Sequence, residues 1–365
     1  MKVAFPYFGY DTIALKNFVE NLGAEARLPS PPTERTISLG TKFSPELICL
    51  PFKITLGNLI ESVEAGADTL LMAAGARKCR FGYYHYIQEN ILRKIGNGHS
   101  FYPISQYTPF EFFFTKMPKI FSVSPMKVIS ATYLLLQNSA LIDHFHNLVR
   151  KARAIDFRKA ADREKQALVI LGNAKNILQV RKAKKSIERL FDFTENVPHK
   201  IIKVGLVGEI YLMLEPFANH DIEKELGKMG VWVWNKRSLY RHLKHLLHID
   251  HLGIKYRFEA SHYLKESPGG EAINTVGEAR SFIKGGADGI IHIYPFTCMP
   301  ENIAFEALQK MSADYSIPVL SLSIDEHTSK TGLLTRLEAF IDILKRAESK
   351  RVVNKTHLSS PLTAH

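Results

Sequence analysis

Short continuous apolar runs alternate with amphipathic stretches along most of this 365-residue chain. The runs at residues 3–10, 24–28, 69–73, 200–208, 231–234, 290–293 and 318–324 predict strands buried on both faces, as in a parallel sheet. Segment 46–50 is read as a further strand. Apolar residues at helical spacing predict helices over 12–22, 51–65, 83–95, 218–227, 239–252, 275–284, 301–311 and 331–348, with Gly23 and Gly66 in the position that ends a helix. Pro29-Ser30-Pro31-Pro32-Thr33 is a loop by composition. Between about 125 and 192 the strand signals stop, and two long helical patterns, 128–161 and 162–193, take over. The expected architecture is α/β: two parallel-sheet (Rossmann/flavodoxin-like) domains at 1–115 and 196–348, with a basic helical insertion at 116–195 between them. Residues 349–365 are expected to be a disordered tail.

One arrangement occurs twice. Gly66-Ala67-Asp68 leads through an apolar run to Cys79, and Gly286-Ala287-Asp288 leads through another to Cys298. Open α/β sheets bind ligands outside the carboxyl ends of their strands, so both cysteines fall where such a fold keeps its chemistry. Cys49, between Leu47-Ile48 and Leu50-Pro51-Phe52, is placed equivalently.

Composition narrows the class. A 45% hydrophobic, 23% charged chain is ordinary for a globular protein. No apolar stretch approaches the roughly 18 residues of a membrane span, and the first residues read as a strand rather than a signal peptide. Three cysteines make no disulfide framework, which points to a reducing cytoplasm. The net charge of +12 concentrates in the insertion, at Arg150-Lys151-Ala152-Arg153 and Arg181-Lys182-Ala183-Lys184-Lys185. It is read as a solvated basic helix face. A polyanionic partner is the alternative, though no nucleic-acid motif accompanies the charge.

Cysteines at helix N-termini meet free N–H donors and a partial positive charge, which favours thiolate. Three converging thiolates select an iron–sulfur cluster or zinc. Without a Cys-x-x-Cys pair, zinc is the weaker option. The competing reading is three unrelated buried cysteines serving as small apolar residues. Glu209, just past a strand, is a candidate for proton transfer beside the site or for a helix cap. Asp325, Glu326 and His327 follow another strand and are read as mainly structural. Tyr240, His242, His245, His248 and His251 read as an exposed basic helix before a metal site. Tyr83, Tyr84 and Tyr86 either wall the site from water or fill core.

Several longer motifs resemble one family: Leu47-Ile48-Cys49-Leu50-Pro51-Phe52-Lys53-Ile54-Thr55-Leu56-Gly57-Asn58, Cys79-Arg80-Phe81-Gly82-Tyr83-Tyr84, Gly208-Glu209-Ile210-Tyr211, Glu215-Pro216-Phe217, Pro295-Phe296-Thr297-Cys298-Met299-Pro300 and Ser323-Ile324-Asp325-Glu326-His327-Thr328. The chain resembles the 2-hydroxyacyl-CoA dehydratase D-component family, in its acyl-CoA dehydratase activase-related (CoA protein activase) branch, over about residues 2–345. The resemblance implies an oxygen-sensitive, dimeric iron–sulfur protein, a homodimer or a heterodimer with a paralogue. It also implies cluster ligands Cys49, Cys79 and Cys298 around a [4Fe-4S] or double-cubane [8Fe-9S] cluster. Electrons would come from a separate ATP-hydrolysing activator of the actin/Hsp70-like group. The chain carries no phosphate loop or dinucleotide fingerprint of its own. Low-potential electron transfer or small-molecule reduction is the first functional reading. The alternatives are a 2-hydroxyacyl-CoA dehydratase subunit, eliminating water from an acyl-CoA through a ketyl radical, and a non-enzymatic scaffold for an acidic partner. One departure stands out: Ala74-Gly75-Ala76-Arg77-Lys78 replaces an expected glycine-rich approach to Cys79, adding two cations that favour a reduced cluster.

Overall fold

The computed structural model describes residues 1–74, 79–96, 98–192, 201–247 and 249–358. The first domain holds β1 (Lys2–Ala4), α1 (Asp11–Asn21), β2 (Glu25–Ala26), α2 (Glu34–Phe43), α3 (Leu50–Glu64), β3 (Thr69–Met72), α4 (Tyr84–Ile95) and β4 (Ser100–Pro103). Four helices follow: α5 (Met117–Phe121), α6 (Pro125–Ile155), α7 (Phe157–Gly172) and α8 (Ile177–Leu190). The second domain begins with β5 (Ile202–Gly208), α9 (Ile210–Leu214), α10 (Ile222–Lys228), β6 (Val231–Trp234), α11 (Leu239–Leu246) and α12 (His251–Ala260). It closes with α13 (Ala272–Lys284), β7 (Gly289–Pro295), α14 (Met299–Tyr315), β8 (Val319–Ile324) and α15 (Lys330–Leu358). Both sheets are four-stranded and wholly parallel, in the orders β2-β1-β3-β4 and β6-β5-β7-β8. The two-domain α/β expectation therefore holds, and both sheets have one topology.

The repeated Gly-Ala-Asp turn explains how each sheet takes its register. Gly66 and Gly286 adopt φ of +87° and +89°, and the next N–H groups close the helix ends, Ala67 to Ser62 O at 2.9 Å and Ala287 to Phe282 O at 3.0 Å. This left-handed closure favours glycine. Asp68 and Asp288 then each accept an N–H from the neighbouring strand, Lys2 and Lys203, both at 2.9 Å. One device thus ends a helix and aligns the strand that leads to a cysteine.

Helix α3 links the domains. Twelve of its fifteen residues are buried, which marks a helix enclosed on all sides. Phe52, Leu56 and Leu59 pack in the first domain's core, while Leu50 and Ile54 join the second's. Lys53 forms a largely buried ion pair with Glu326, just past β8. Glycine permits the crossing of α2 over α3: a Cβ at Gly57 would lie 1.9 Å from Thr36 O, and one at Gly40 1.8 Å from Lys53 O.

The helical segment packs against the first sheet through one continuous core that includes Val3, Phe18, Leu71, Leu135 and Phe145. Its charge is not all solvated. Arg150 is buried and bonds Glu223 at 2.8 Å and Asn235 O at 3.2 Å, and Arg153 bonds Glu164 at 2.6 Å. Arg181, Lys182, Lys184 and Lys185 are exposed, as expected. Among the described residues no single helix is long and apolar enough to cross a membrane.

Several local expectations fail for physical reasons. Segment 46–50 is not a strand: Leu47 takes a left-handed φ of +56°, and Leu50 already starts α3, with Pro51 in its first turn. Helix α2 escaped the periodicity reading, although Thr33 and Thr36 form a reciprocal capping box at its start. The two helical patterns at 128–161 and 162–193 become three helices, with breaks where Asp156 and Asn176 cap new ones rather than at 161. The pattern at 239–252 splits at Asp250, which caps α12. The disordered tail expected from 349 is helical through Leu358, and residues 359–365 lie outside the described residues.

Candidate functional site

Each of the three cysteines is the residue before a helical turn. Cys49 caps α3, Cys298 caps α14, and Cys79 precedes the 3₁₀ turn Arg80–Tyr83 that runs into α4. Cys79 follows β3 and Cys298 follows β7, while Glu209 directly follows β5. These are the carboxyl ends of central strands, beside the point where strand order reverses, the usual ligand position in open parallel sheets.

The structure brings these groups together from both domains. The Cys49 Sγ and Tyr84 Oη lie 2.5 Å apart, and Arg80 donates to Leu47 O at 2.8 Å, tying the Cys79 segment to the Cys49 segment. From the second domain, Gly270 approaches so closely that a Cβ there would lie 3.7 Å from Cys79 Sγ and 3.0 Å from Pro300. Burial pushes the Cys49 thiol up to about 11, with Glu209 and Cys79 adding to the rise and Tyr84 opposing it. Burial also raises Cys79, with contributions from Glu209, Glu271 and Glu301. Burial, Glu301, Glu209 and Cys79 raise Cys298 strongly. Glu209 itself is pushed up to about 7 by burial, with Glu301 and Glu271 contributing. Three thiols and three carboxylates therefore share one electrostatic neighbourhood.

The expected lowering of the thiol pKa values by helix N-termini is overturned. Backbone N–H groups do reach two sulfurs, from Phe81 to Cys79 and from Glu301 to Cys298, but desolvation and the carboxylates outweigh them. In the protein alone these are protonated thiols.

Glu209 caps α9, accepting the Leu212 N–H at 3.0 Å, and still acts on all three cysteines. Asp325 holds its own turn through the His327 N–H and the Thr328 hydroxyl, Glu326 pairs with Lys53, and the His327 side chain is exposed. Of the tyrosines only Tyr84 is buried at the site; Tyr83 and Tyr86 are exposed. His242 turns inward and His245 and His251 outward, and His248 lies outside the described residues. Arg77 and Lys78 lie outside them too. Among the described residues no three His, Cys, Asp or Glu side chains converge tightly enough for a single metal ion.

Behind Cys298 lies a buried network that the sequence reading missed. Glu301, three residues on, receives the Thr275 hydroxyl at 3.1 Å and meets His292 Nε2 at 3.0 Å. Thr275 accepts from Arg237 at 3.2 Å; Arg237 pairs with Glu271 and, at 3.0 Å, with Glu278, which also holds Arg241 at 2.5 Å. Most of these partners lie more than twenty residues apart, which leaves no local signal. Gly270 had one: Pro268-Gly269-Gly270 reads as a turn, though not as a contact to Cys79. Neither a protein-family model nor a curated protein sequence matches the chain.

Proposed function

We propose that Cys49, Cys79 and Cys298 hold an iron–sulfur cluster in a protein similar to the 2-hydroxyacyl-CoA dehydratase-like family, working in a reducing cytoplasm. The observation that carries this reading is the grouping of all three cysteines around Glu209, two of them, Cys79 and Cys298, past the carboxyl ends of β3 and β7 and the third, Cys49, at the start of α3. The donor set fits the group. Thiolates are the common cluster ligands, and each binds a different iron, so three sulfurs need not meet at one point. The thiols are protonated in the protein alone, and a bound metal core would displace those protons, since a coordinating thiol is deprotonated outright. When bound, such a cluster supplies one-electron transfer.

The chain's own residues then have separable tasks. Tyr84 fixes the Cys49 sulfur, Gly270 lets the second domain close over Cys79, and the Glu301 network holds the first turn of α14 behind Cys298. Glu209 is the group best placed to hold or release a proton beside the sulfurs. Burial and the Glu209 and Glu301 carboxylates disfavour added negative charge, which pulls a reduction potential downward, while Arg77 and Lys78, just before Cys79 in the sequence, favour it. Low-potential electron transfer or small-molecule reduction is the reading that burial favours, and the resemblance supplies its electron source, a separate ATP-hydrolysing activator. Phe296 and Met299 beside Cys298, and Leu47, Tyr83 and Tyr86 near the other two, are exposed apolar side chains, suited to a covering partner or second subunit. The test is redox titration of anaerobically reconstituted protein followed by electron paramagnetic resonance. A cluster signal that appears only with strong reductants is expected, and a cluster fully reduced by mild thiols contradicts the low-potential assignment.

A further inference from the structure

A second site lies behind the cysteine pocket. A cavity of about 220 Å³ reaches from Phe81 and Ile210, each beside a residue of the thiol site, to Leu243 and Leu247 on the far side. Phe18, Leu71 and Leu135 form its floor, so first sheet, helical segment and second domain all contribute wall. Three of its five polar side chains are turned to other partners. The Thr132 hydroxyl donates to Val128 O at 2.8 Å, Ser105 bonds Ala74, and the Tyr211 hydroxyl donates to Tyr7 O at 3.2 Å. Burial lowers His242 and raises Tyr107, leaving both wall side chains neutral near pH 7.

A water needs two to four polar partners to reside in a cavity, and these walls are almost wholly apolar, with His242 and Tyr107 their remaining polar side chains. An apolar cavity of about 150 Å³ stays dry and accepts a benzene ring, so this larger one suits more hydrocarbon than one ring. One wall is the π-helical turn Glu111–Lys116, none of whose residues is buried. It carries Phe112 and Phe113 over the cavity, and such turns occur often at functional sites.

We infer that this cavity binds a single unbranched hydrocarbon chain of medium length, the tail of a free fatty acid. The volume and the lining explain the choice of a chain: the space exceeds that of a cavity that holds one ring, its walls are almost wholly apolar, and a flexible unbranched chain fills such a space without the fixed outline of a second ring. The inference does not depend on the thiols holding a cluster, because no cysteine lines the cavity.

Calorimetric titration of the purified full-length chain with sodium decanoate, repeated with toluene, tests it. One saturable decanoate site per chain is expected, with a negative heat-capacity change and binding roughly tenfold or more weaker in Leu135→Trp, which fills the floor. Leu243→Trp, at a half-buried position on α11, is the second variant should the first not fold. No saturable decanoate binding, unchanged affinity in the filled cavity, or toluene binding as tightly as decanoate overturns the inference.

Discussion

Glu215 joins the domains by accepting two backbone N–H groups, from Gly9 of the first domain at 2.7 Å and from Phe217 at 3.1 Å. Burial pushes its carboxyl from 4.5 up to about 7, against the effect of those two hydrogen bonds. A raised carboxyl pKa means that the folded state holds a proton the unfolded chain has released. The associated stability is fully present below the unfolded value and is lost as pH rises through the folded one. With a shift from 4.5 to about 7, linkage gives a loss of roughly 2.5 kcal/mol between pH 5 and pH 8. Glu215→Gln removes the titration, and because its amide can accept only one of the two N–H groups it also carries a cost that does not vary with pH. Urea unfolding of both proteins should therefore give a stability difference that moves in the variant's favour by roughly 2.5 kcal/mol as pH rises from 5 to 8. Other raised carboxyls, such as Asp11, contribute equally to both curves and drop out of the difference. A difference that stays constant from pH 5 to 8, or grows in the opposite direction, refutes the reasoning.

Two further outcomes follow from packing. In Gly57→Ala the new methyl meets Thr36 O at 1.9 Å, backbone against backbone, so α2 and α3 must separate; a loss of roughly 1–3 kcal/mol is expected in thermal unfolding, and an unchanged midpoint contradicts the close crossing. Arg237→Met leaves Glu271 without its ion-pair partner and Glu278 with Arg241 alone, at a cost of roughly 3–5 kcal/mol, seen as a lower urea midpoint; a neutral result would show that the network contributes no net stability.

The α/β architecture was legible because buried parallel strands appear as continuous apolar runs, and because Gly66 and Gly286 each stand before an alanine and an aspartate that set register. Strands β2 and β4 are short edge strands, and β4, with exposed or half-buried side chains, carries too little pattern to detect. Segment 46–50 misled because an apolar run of four or five residues suits a buried helix start as well as a strand, and Pro51 then favours the helix. The positions of Cys79 and Cys298 were legible from the strand-then-turn rhythm; that of Cys49 was not, because no strand directly precedes it. Their protonation was not, because it depends on Glu209, Glu271 and Glu301, which approach from separate elements. The apolar cavity was equally hidden, since Leu71, Leu135 and Leu243 meet only in the folded chain.

The central claim is that thiols from both domains form one site. Iron and acid-labile sulfide analysis after anaerobic purification and reconstitution tests it most directly, on the wild type and on Cys49→Ala, Cys79→Ala and Cys298→Ala. The account predicts about four irons and four sulfides per chain, lost or sharply reduced in each variant, Cys298→Ala included. A colourless, iron-free wild type, or a Cys298→Ala protein that keeps its full complement, would contradict it.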